Sequence, residues 1–128
     1  MDTMYETKIL VVEDEDPIAQ LFKLQLELQG FLADIAHRWS EMMEHLKISH
    51  YDCMLMDVVL PDKNGILILK ELKEMEKTKH IPVIMVSNVD DFDHIKEACN
   101  LGATDYFIKS RYDMDEIIKA IQQALVRN

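Results

Sequence analysis

The chain has 128 residues, enough for one domain with a single core and too few for two domains of ordinary size. Apolar residues make up 48% of it and charged residues 30%, proportions that exclude the intrinsically disordered class. The formal charge of −10 at pH 7 disfavours a surface that binds nucleic acid or an anionic membrane, because phosphate groups would be repelled over most of the domain. No apolar run is long enough to span a membrane and no charged-then-apolar leader opens the sequence, so we expect no membrane insertion and a cytoplasmic protein.

Apolar runs alternate with segments of helical periodicity, and this alternation predicts an α/β fold. Crossover connections of this kind imply a doubly wound parallel sheet of five strands with helices on both faces. Five strand-helix units account for almost every residue, and neither a linker nor an internal repeat divides them. We therefore expect a single domain over residues 1–128.

The predicted elements begin with a strand at residues 9–12. The first helix should start at Asp16-Pro17, where the aspartate can cap and proline takes the first helical position, and should end near Gly30. The later strands are predicted at residues 31–36, 53–56, 83–86 and 106–108. The later helices are predicted at 40–48, at 65–75 after the helix-start signal Asn64-Gly65, at 90–102 and at 113–128.

Two helical stripes and two cysteines carry predictions about burial. The spacing predicts a core face for the first helix at Ile18, Leu21, Phe22, Leu24 and Leu28. It predicts a second buried stripe, in the third helix, at Ile66, Leu69, Leu72 and Met75. Cys53 and Cys99 lack the spacing of a zinc site, so we expect both to be buried, inert thiols.

Four of the predicted strands end at a polar or charged residue. Glu13 and Asp14 follow the first strand, Asp57 the third, Ser87 the fourth and Lys109 the fifth. Ligands of open α/β sheets bind outside the carboxyl ends of the strands, so these side chains should converge in one crevice. Three crowded carboxylates call for a cation, and hard oxygen donors without histidine or cysteine favour Mg²⁺.

A carboxylate next to a divalent cation and a lysine can act as a nucleophile toward phosphorus. We predict that Asp57 forms an aspartyl phosphate, that Lys109 neutralises the incoming oxygens and that the Ser87 hydroxyl donates to one of them. Glu15 and Asp16 are interpreted as a solvated acidic turn that leads into a capped helix.

The chain resembles the receiver domain of two-component response regulators, including the stand-alone chemotaxis regulators, over essentially its whole length. The matching stretches are KILVVEDE at 8–15, LMDVVLPDKNG at 55–65, VIMVSN at 83–88 and GATDYFIKS at 102–110. The resemblance implies the strand order 2-1-3-4-5 and a metal shell of Glu13, Asp14, Asp57 and the backbone carbonyl of Val59. It also implies Asp57 as phosphoacceptor, Lys109 as the family's lysine, and Ser87 and Tyr106 as the switch hydroxyl and switch aromatic.

The same resemblance implies the partners. A sensor histidine kinase or a histidine phosphotransfer protein would supply the phosphoryl group, and an unknown downstream protein would bind a face made of helix 4, strand 5 and helix 5. The protein would be a monomer or a phosphorylation-linked dimer, and would catalyse only its own phosphorylation and dephosphorylation.

The chain departs from the family pattern at a few positions. Ser110 follows Lys109 where the family has a proline with a cis bond, and a cis bond without proline costs about 2.5 to 4 kcal/mol, so we predict a trans bond or a strained cis one. Val59 and Val89 flank the phosphorylation site with apolar side chains that cannot orient water, which predicts slow self-dephosphorylation.

Three other functions compete with phosphorylation signalling. A flavodoxin needs a phosphate-cradling loop after its first strand, where this chain has Glu13-Asp14-Glu15. A dehalogenase-like phosphatase needs a second aspartate at the position of Val59. A phosphorylation-independent, receiver-like interaction module remains open, although the presence of Asp57, Ser87 and Lys109 argues against it.

Overall fold

The computed structural model describes residues 7–127. Within that range the strands are β1 (Lys8–Val12), β2 (Leu32–Ala36), β3 (Cys53–Met56), β4 (Val83–Ser87) and β5 (Asp105–Ile108). The helices are α1 (Asp16–Leu28), α2 (Trp39–Ile48), α3 (Gly65–Glu74), α4 (Phe92–Asn100) and α5 (Met114–Arg127). Strands and helices alternate without exception, and the predicted bounds differ from these by a few residues at most.

The strands form one parallel sheet in the order β2-β1-β3-β4-β5, as predicted. The order reverses at β1, which pairs with β2 on one side and β3 on the other. Val12 lies opposite Met56 in the β1–β3 pairing, so the residues that follow these two strands leave the sheet side by side. This reversal point is where a doubly wound sheet opens a crevice.

Two hydrophobic clusters cover the two faces of the sheet, because alternate residues of each strand point in opposite directions. One cluster contains Leu10, Val12, Met54, Met56, Val83 and Met85 together with residues of α2 and α3. The other contains Ile9, Val11, Cys53, Leu55, Ile84 and Val86 together with residues of α1 and α5. Strands β1, β3 and β4 are buried on both faces. They therefore fix the positions of the residues that follow them.

The predicted core face of α1 is wrong for three of its five residues. Leu21, Leu24 and Leu28 are 50, 53 and 70% exposed, whereas the face toward the sheet consists of Ala19, Phe22 and Leu26. The helix carries apolar residues on two faces, and Leu21, Leu24 and Leu28 lie on the one that faces solvent. The small Ala19 side chain, fully buried, identifies the face that lies against the strands.

Two other burial predictions are corrected. Cys53 is buried as predicted, and burial raises the pKa of its thiol to about 12, but Cys99 is exposed on α4. Met75 was predicted in the buried stripe of α3, yet the helix ends at Glu74, so Met75 lies at the C-cap and is only partly buried.

The Lys109–Ser110 peptide bond is trans, as the absence of proline predicts, since residues 7–127 contain no cis peptide bond. None of the helices in this range is long and apolar enough to cross a bilayer.

Candidate functional site

Backbone hydrogen bonds continue beyond the strand ends and bring the predicted site residues together. The Asp57 N–H donates to the Val12 carbonyl at 3.1 Å, which extends the β1–β3 pairing by one step. The Lys109 N–H donates to the Ser87 carbonyl at 2.9 Å, which does the same for β4 and β5. The side chains of Asp57, Ser87 and Lys109 therefore leave one edge of the sheet from three adjacent strands.

Lys109 forms ion pairs with two buried carboxylates. Its Nζ lies 2.6 Å from Glu13 Oε1 and 2.8 Å from Asp57 Oδ2, and all three side chains are less than a tenth exposed. Burial alone would lower the pKa of Lys109, but the two carboxylates outweigh it and the pKa is raised. The ammonium group is therefore firmly charged at neutral pH.

Glu13 and Asp14 are adjacent in sequence but have different environments. Glu13 is 2% exposed, and burial raises the pKa of its carboxyl even though Lys109 and the Glu15 N–H, 3.0 Å from Oε2, both donate to it. Asp14 is exposed at the mouth of the crevice. One carboxylate is thus part of the buried ion pair, and the other faces the solvent.

Glu13, Asp14 and Asp57 can each present one oxygen within 4.8 Å of the others. Such a set suits a small hard cation, because it offers only carboxylate oxygens and one of its members is open to solvent. The cation would also relieve the crowding of three negative groups around a single ammonium. Mg²⁺ therefore fits the residues at this site.

The crevice has a volume of about 240 Å³. Its lining residues are Asp14, Glu15, Asp57, Val59, Ser87, Asn88 and Lys109. The Val59 side chain is 61% exposed at the rim, and the Val59 N–H donates to Asp57 Oδ1 at 3.1 Å, which orients that carboxylate. The role of the Val59 carbonyl as a metal ligand remains a prediction.

Ser87 and Tyr106 are linked through the start of the β4–α4 loop. The Ser87 side chain is fully buried, and its Oγ accepts from the Val89 N–H at 3.3 Å. The Tyr106 hydroxyl donates to the Val89 carbonyl at 2.6 Å, and burial raises the pKa of this phenol. Both side chains thus contact the same residue, so a movement of the loop at Val89 would affect both of them.

Gly65 is a feature of the site that sequence reasoning did not single out. A Cβ on this residue would lie 2.7 Å from Val58 Cα and closer still to the Asp57 carbonyl oxygen. The Gly65 N–H donates to the Val58 carbonyl at 2.7 Å, so the start of α3 lies directly against the backbone that carries Asp57. The Asn64-Gly65 pair indicated a helix start, but this close approach depends on the path of the loop.

Comparisons with known proteins agree with this geometry. The family model described as the response regulator receiver domain matches residues 9–122. Among curated proteins, the chain is 31% identical over 121 residues to the response regulator ArlR of Staphylococcus saprophyticus, covering 94% of this chain and 53% of that protein. It is 34% identical over 118 residues to the regulatory protein AtoC of Escherichia coli, covering 92% of this chain and 25% of that protein.

A solved structure extends the likeness to three dimensions. The Francisella response regulator 1452 receiver domain superimposes with a TM-score of 0.86 at 29% identity, covering 94% of this chain and 98% of that one. The chain spans about half the length of ArlR and a quarter of that of AtoC. The strand order, the family match over residues 9–122 and this superposition together establish that the chain belongs to the response regulator receiver domain family of two-component signal transduction.

Proposed function

We propose that this receiver domain accepts a phosphoryl group on Asp57 from a phosphohistidine of a sensor histidine kinase or of a histidine phosphotransfer protein. The observation that carries the proposal is the Lys109 ammonium, which lies 2.8 Å from Asp57 in a crevice also lined by Asp14 and Ser87. The carboxylate reaches the crevice, and the ammonium beside it is buried. This arrangement suits phosphoryl transfer, because a buried ammonium compensates the negative charge that develops on the phosphoryl oxygens.

The transfer makes one bond and breaks one. An Asp57 carboxylate oxygen donates an electron pair to phosphorus, and the phosphorus–nitrogen bond breaks with its electron pair returning to the imidazole. The Lys109 ammonium, already within hydrogen-bond distance of Asp57 Oδ2, can pair with a phosphoryl oxygen after transfer. The Ser87 hydroxyl, whose Oγ accepts the Val89 N–H, can donate its own proton to another phosphoryl oxygen.

Mg²⁺ is the cofactor that we propose for this step, held by Glu13, Asp14 and Asp57 with the Val59 carbonyl. When bound, it neutralises charge on the phosphoryl oxygens. The chain's own residues prepare the site for it, because Lys109 balances only one of the two buried carboxylate charges that it contacts.

Phosphorylation would then change the face made of α4, β5 and α5. The phosphoryl group carries about −1.5 to −2 charge in place of the single charge of the Asp57 carboxylate, which would draw the Ser87 hydroxyl toward it. The Val89 backbone connects Ser87 to Tyr106, so the β4–α4 loop and the Tyr106 ring would move together. We propose that a downstream protein binds this face, and that the domain acts as a monomer or as a phosphorylation-linked dimer.

The test detects covalent attachment of the phosphoryl group. Wild type and Asp57→Ala are incubated with acetyl phosphate or a phosphoramidate, with Mg²⁺ and separately with EDTA, and intact masses are measured. We expect one added phosphoryl group on wild type with Mg²⁺ only, and none on the variant. Asp113→Ala, which removes an exposed carboxylate at the start of α5, is the matched control and should be phosphorylated like wild type. No added phosphoryl group on wild type with Mg²⁺, or the same added mass on wild type and Asp57→Ala, would select a phosphorylation-independent interaction module instead.

A further inference from the structure

The first turn of α2 is capped by a residue from another part of the chain. Asp62, in the loop between β3 and α3, accepts the Trp39 N–H at 2.8 Å and the Ser40 N–H at 3.1 Å, one on each carboxylate oxygen. Arg38 occupies the N-cap position of α2 and makes no side-chain capping hydrogen bond. Two of the free N–H groups of this helix start are therefore satisfied by the loop that follows Asp57.

A second contact fixes the same loop against the same turn. Lys63 Nζ lies 4.5 Å from the centroid of the Trp39 ring, a cation–π distance. Lys63 also forms an ion pair with Glu71 of α3. Trp39 is the only tryptophan of the chain and is partly buried against the core, so this contact joins the loop to a fixed part of the molecule.

The other end of this loop belongs to the proposed phosphorylation site. The Val59 N–H donates to Asp57 Oδ1 at 3.1 Å, and Val59 and Asn64 pair through an isolated antiparallel bridge. The bridge closes the loop on itself, with only Leu60 to Lys63 between its two partners. A displacement at Asp62 is therefore transmitted to Val59 over a very short path.

We propose that Asp62 is a positioning residue: by capping α2 it holds the β3–α3 loop so that Val59 and the Asp57 carboxylate are placed to bind a divalent cation. This inference rests on the cation site of the proposed function. Coupling between two sites is reciprocal, so cation binding at Glu13, Asp14 and Asp57 must in turn strengthen the cap on α2. Trp39, in the capped turn, then reports on the occupancy of the site.

The test separates positioning from charge. Mg²⁺ affinity is measured by calorimetry on wild type, Asp62→Ala and Asp62→Asn, with Asp113→Ala as a control that removes a helix-capping carboxylate away from this loop. Asparagine carries no charge and keeps one of the two acceptor oxygens, so it retains one of the two capping hydrogen bonds, whereas alanine retains neither. We expect Asp62→Ala to weaken Mg²⁺ binding about fivefold, and Asp62→Asn and Asp113→Ala to stay within about twofold of wild type.

A second readout does not depend on affinity. Titration with Mg²⁺ should change the Trp39 emission of wild type, and Asp62→Ala should bind Mg²⁺ at higher concentration with a much smaller change. Equal weakening by the alanine and asparagine variants would overturn the proposal in favour of simple electrostatics. Unchanged Mg²⁺ affinity in Asp62→Ala would overturn it in favour of a purely structural cap. If wild type itself binds no Mg²⁺, the proposed function fails first, and this inference fails with it.

Discussion

Replacing Gly65 with alanine should disturb the phosphorylation site by displacing the backbone that carries Asp57. The added Cβ would lie 2.7 Å from Val58 Cα, where ordinary contact begins at 3.4 Å, and nearer still to the Asp57 carbonyl oxygen. Both obstacles are backbone atoms, so no flexible side chain can move aside. Either α3 must shift away from the loop or the backbone at Asp57 must shift toward the crevice.

Two opposing terms set the size of the effect. Forcing an extra carbon into a packed site costs about 1 to 3 kcal/mol, whereas replacing glycine at a helical position by alanine gains about 0.5 to 1 kcal/mol. We therefore expect Gly65→Ala to lose roughly 1 to 2 kcal/mol of unfolding free energy, since the clash is with backbone on both sides. In a domain of this size the loss lowers the melting temperature by about 3 to 8 °C.

The assay combines urea denaturation with the rate of phosphorylation by acetyl phosphate in Mg²⁺. Gly30→Ala is the control: its φ is +94°, but nothing lies within 4 Å of an added Cβ, so it should lose stability without slowing phosphorylation. Gly65→Ala should both destabilise the domain and slow phosphorylation. A Gly65→Ala protein as stable and as readily phosphorylated as wild type would show that the α3 start does not constrain the backbone at Asp57.

Three further predictions concern other parts of the molecule. Lys109→Met should lower the unfolding free energy at pH 7.5 by roughly 3 kcal/mol, because it leaves two buried carboxylates uncompensated; a loss below about 1 kcal/mol in urea denaturation would contradict this. His37 lies 2.8 Å from Asp16 and 3.3 Å from Glu41, and these carboxylates raise its pKa above 6.5. Its stabilising contribution is therefore complete below that pH and lost as the pH rises above the raised pKa, so melting temperatures should fall between pH 6 and 8 more in wild type than in His37→Gln. Val59→Asn should shorten the lifetime of the phosphorylated protein, because an amide at the crevice rim can orient water; an unchanged decay of the phosphorylated mass would count against this.

The fold could be predicted from the sequence because its strands and helices show different patterns of apolar residues. Strands buried on both faces are continuous apolar runs, and the helices between them are marked by Asp16-Pro17 at one start and Asn64-Gly65 at another. The face of α1 could not be predicted in the same way, because Leu21, Leu24 and Leu28 form a second apolar stripe at helical spacing, beside the one that packs. The choice between the two stripes depends on how closely the helix approaches the sheet.

The convergence of the site residues could also be predicted, because parallel strands end at one edge and five polar residues follow four of those ends. The contacts between these residues could not be predicted. The sequence does not indicate that Lys109 would contact Glu13 as closely as Asp57, or that Asp62 would cap a helix that begins 23 residues before it. Such contacts depend on loop paths between segments that are distant in sequence.

The most direct measurement locates the phosphoryl group. Wild type treated with acetyl phosphate and Mg²⁺ is reduced with borohydride, which converts an aspartyl phosphate to homoserine, and the peptides are mapped by mass spectrometry. We predict homoserine at position 57 and nowhere else, and none when Mg²⁺ is withheld. Modification at another carboxylate, or equal modification without Mg²⁺, would contradict the central claim that Asp57 is the cation-dependent phosphoacceptor.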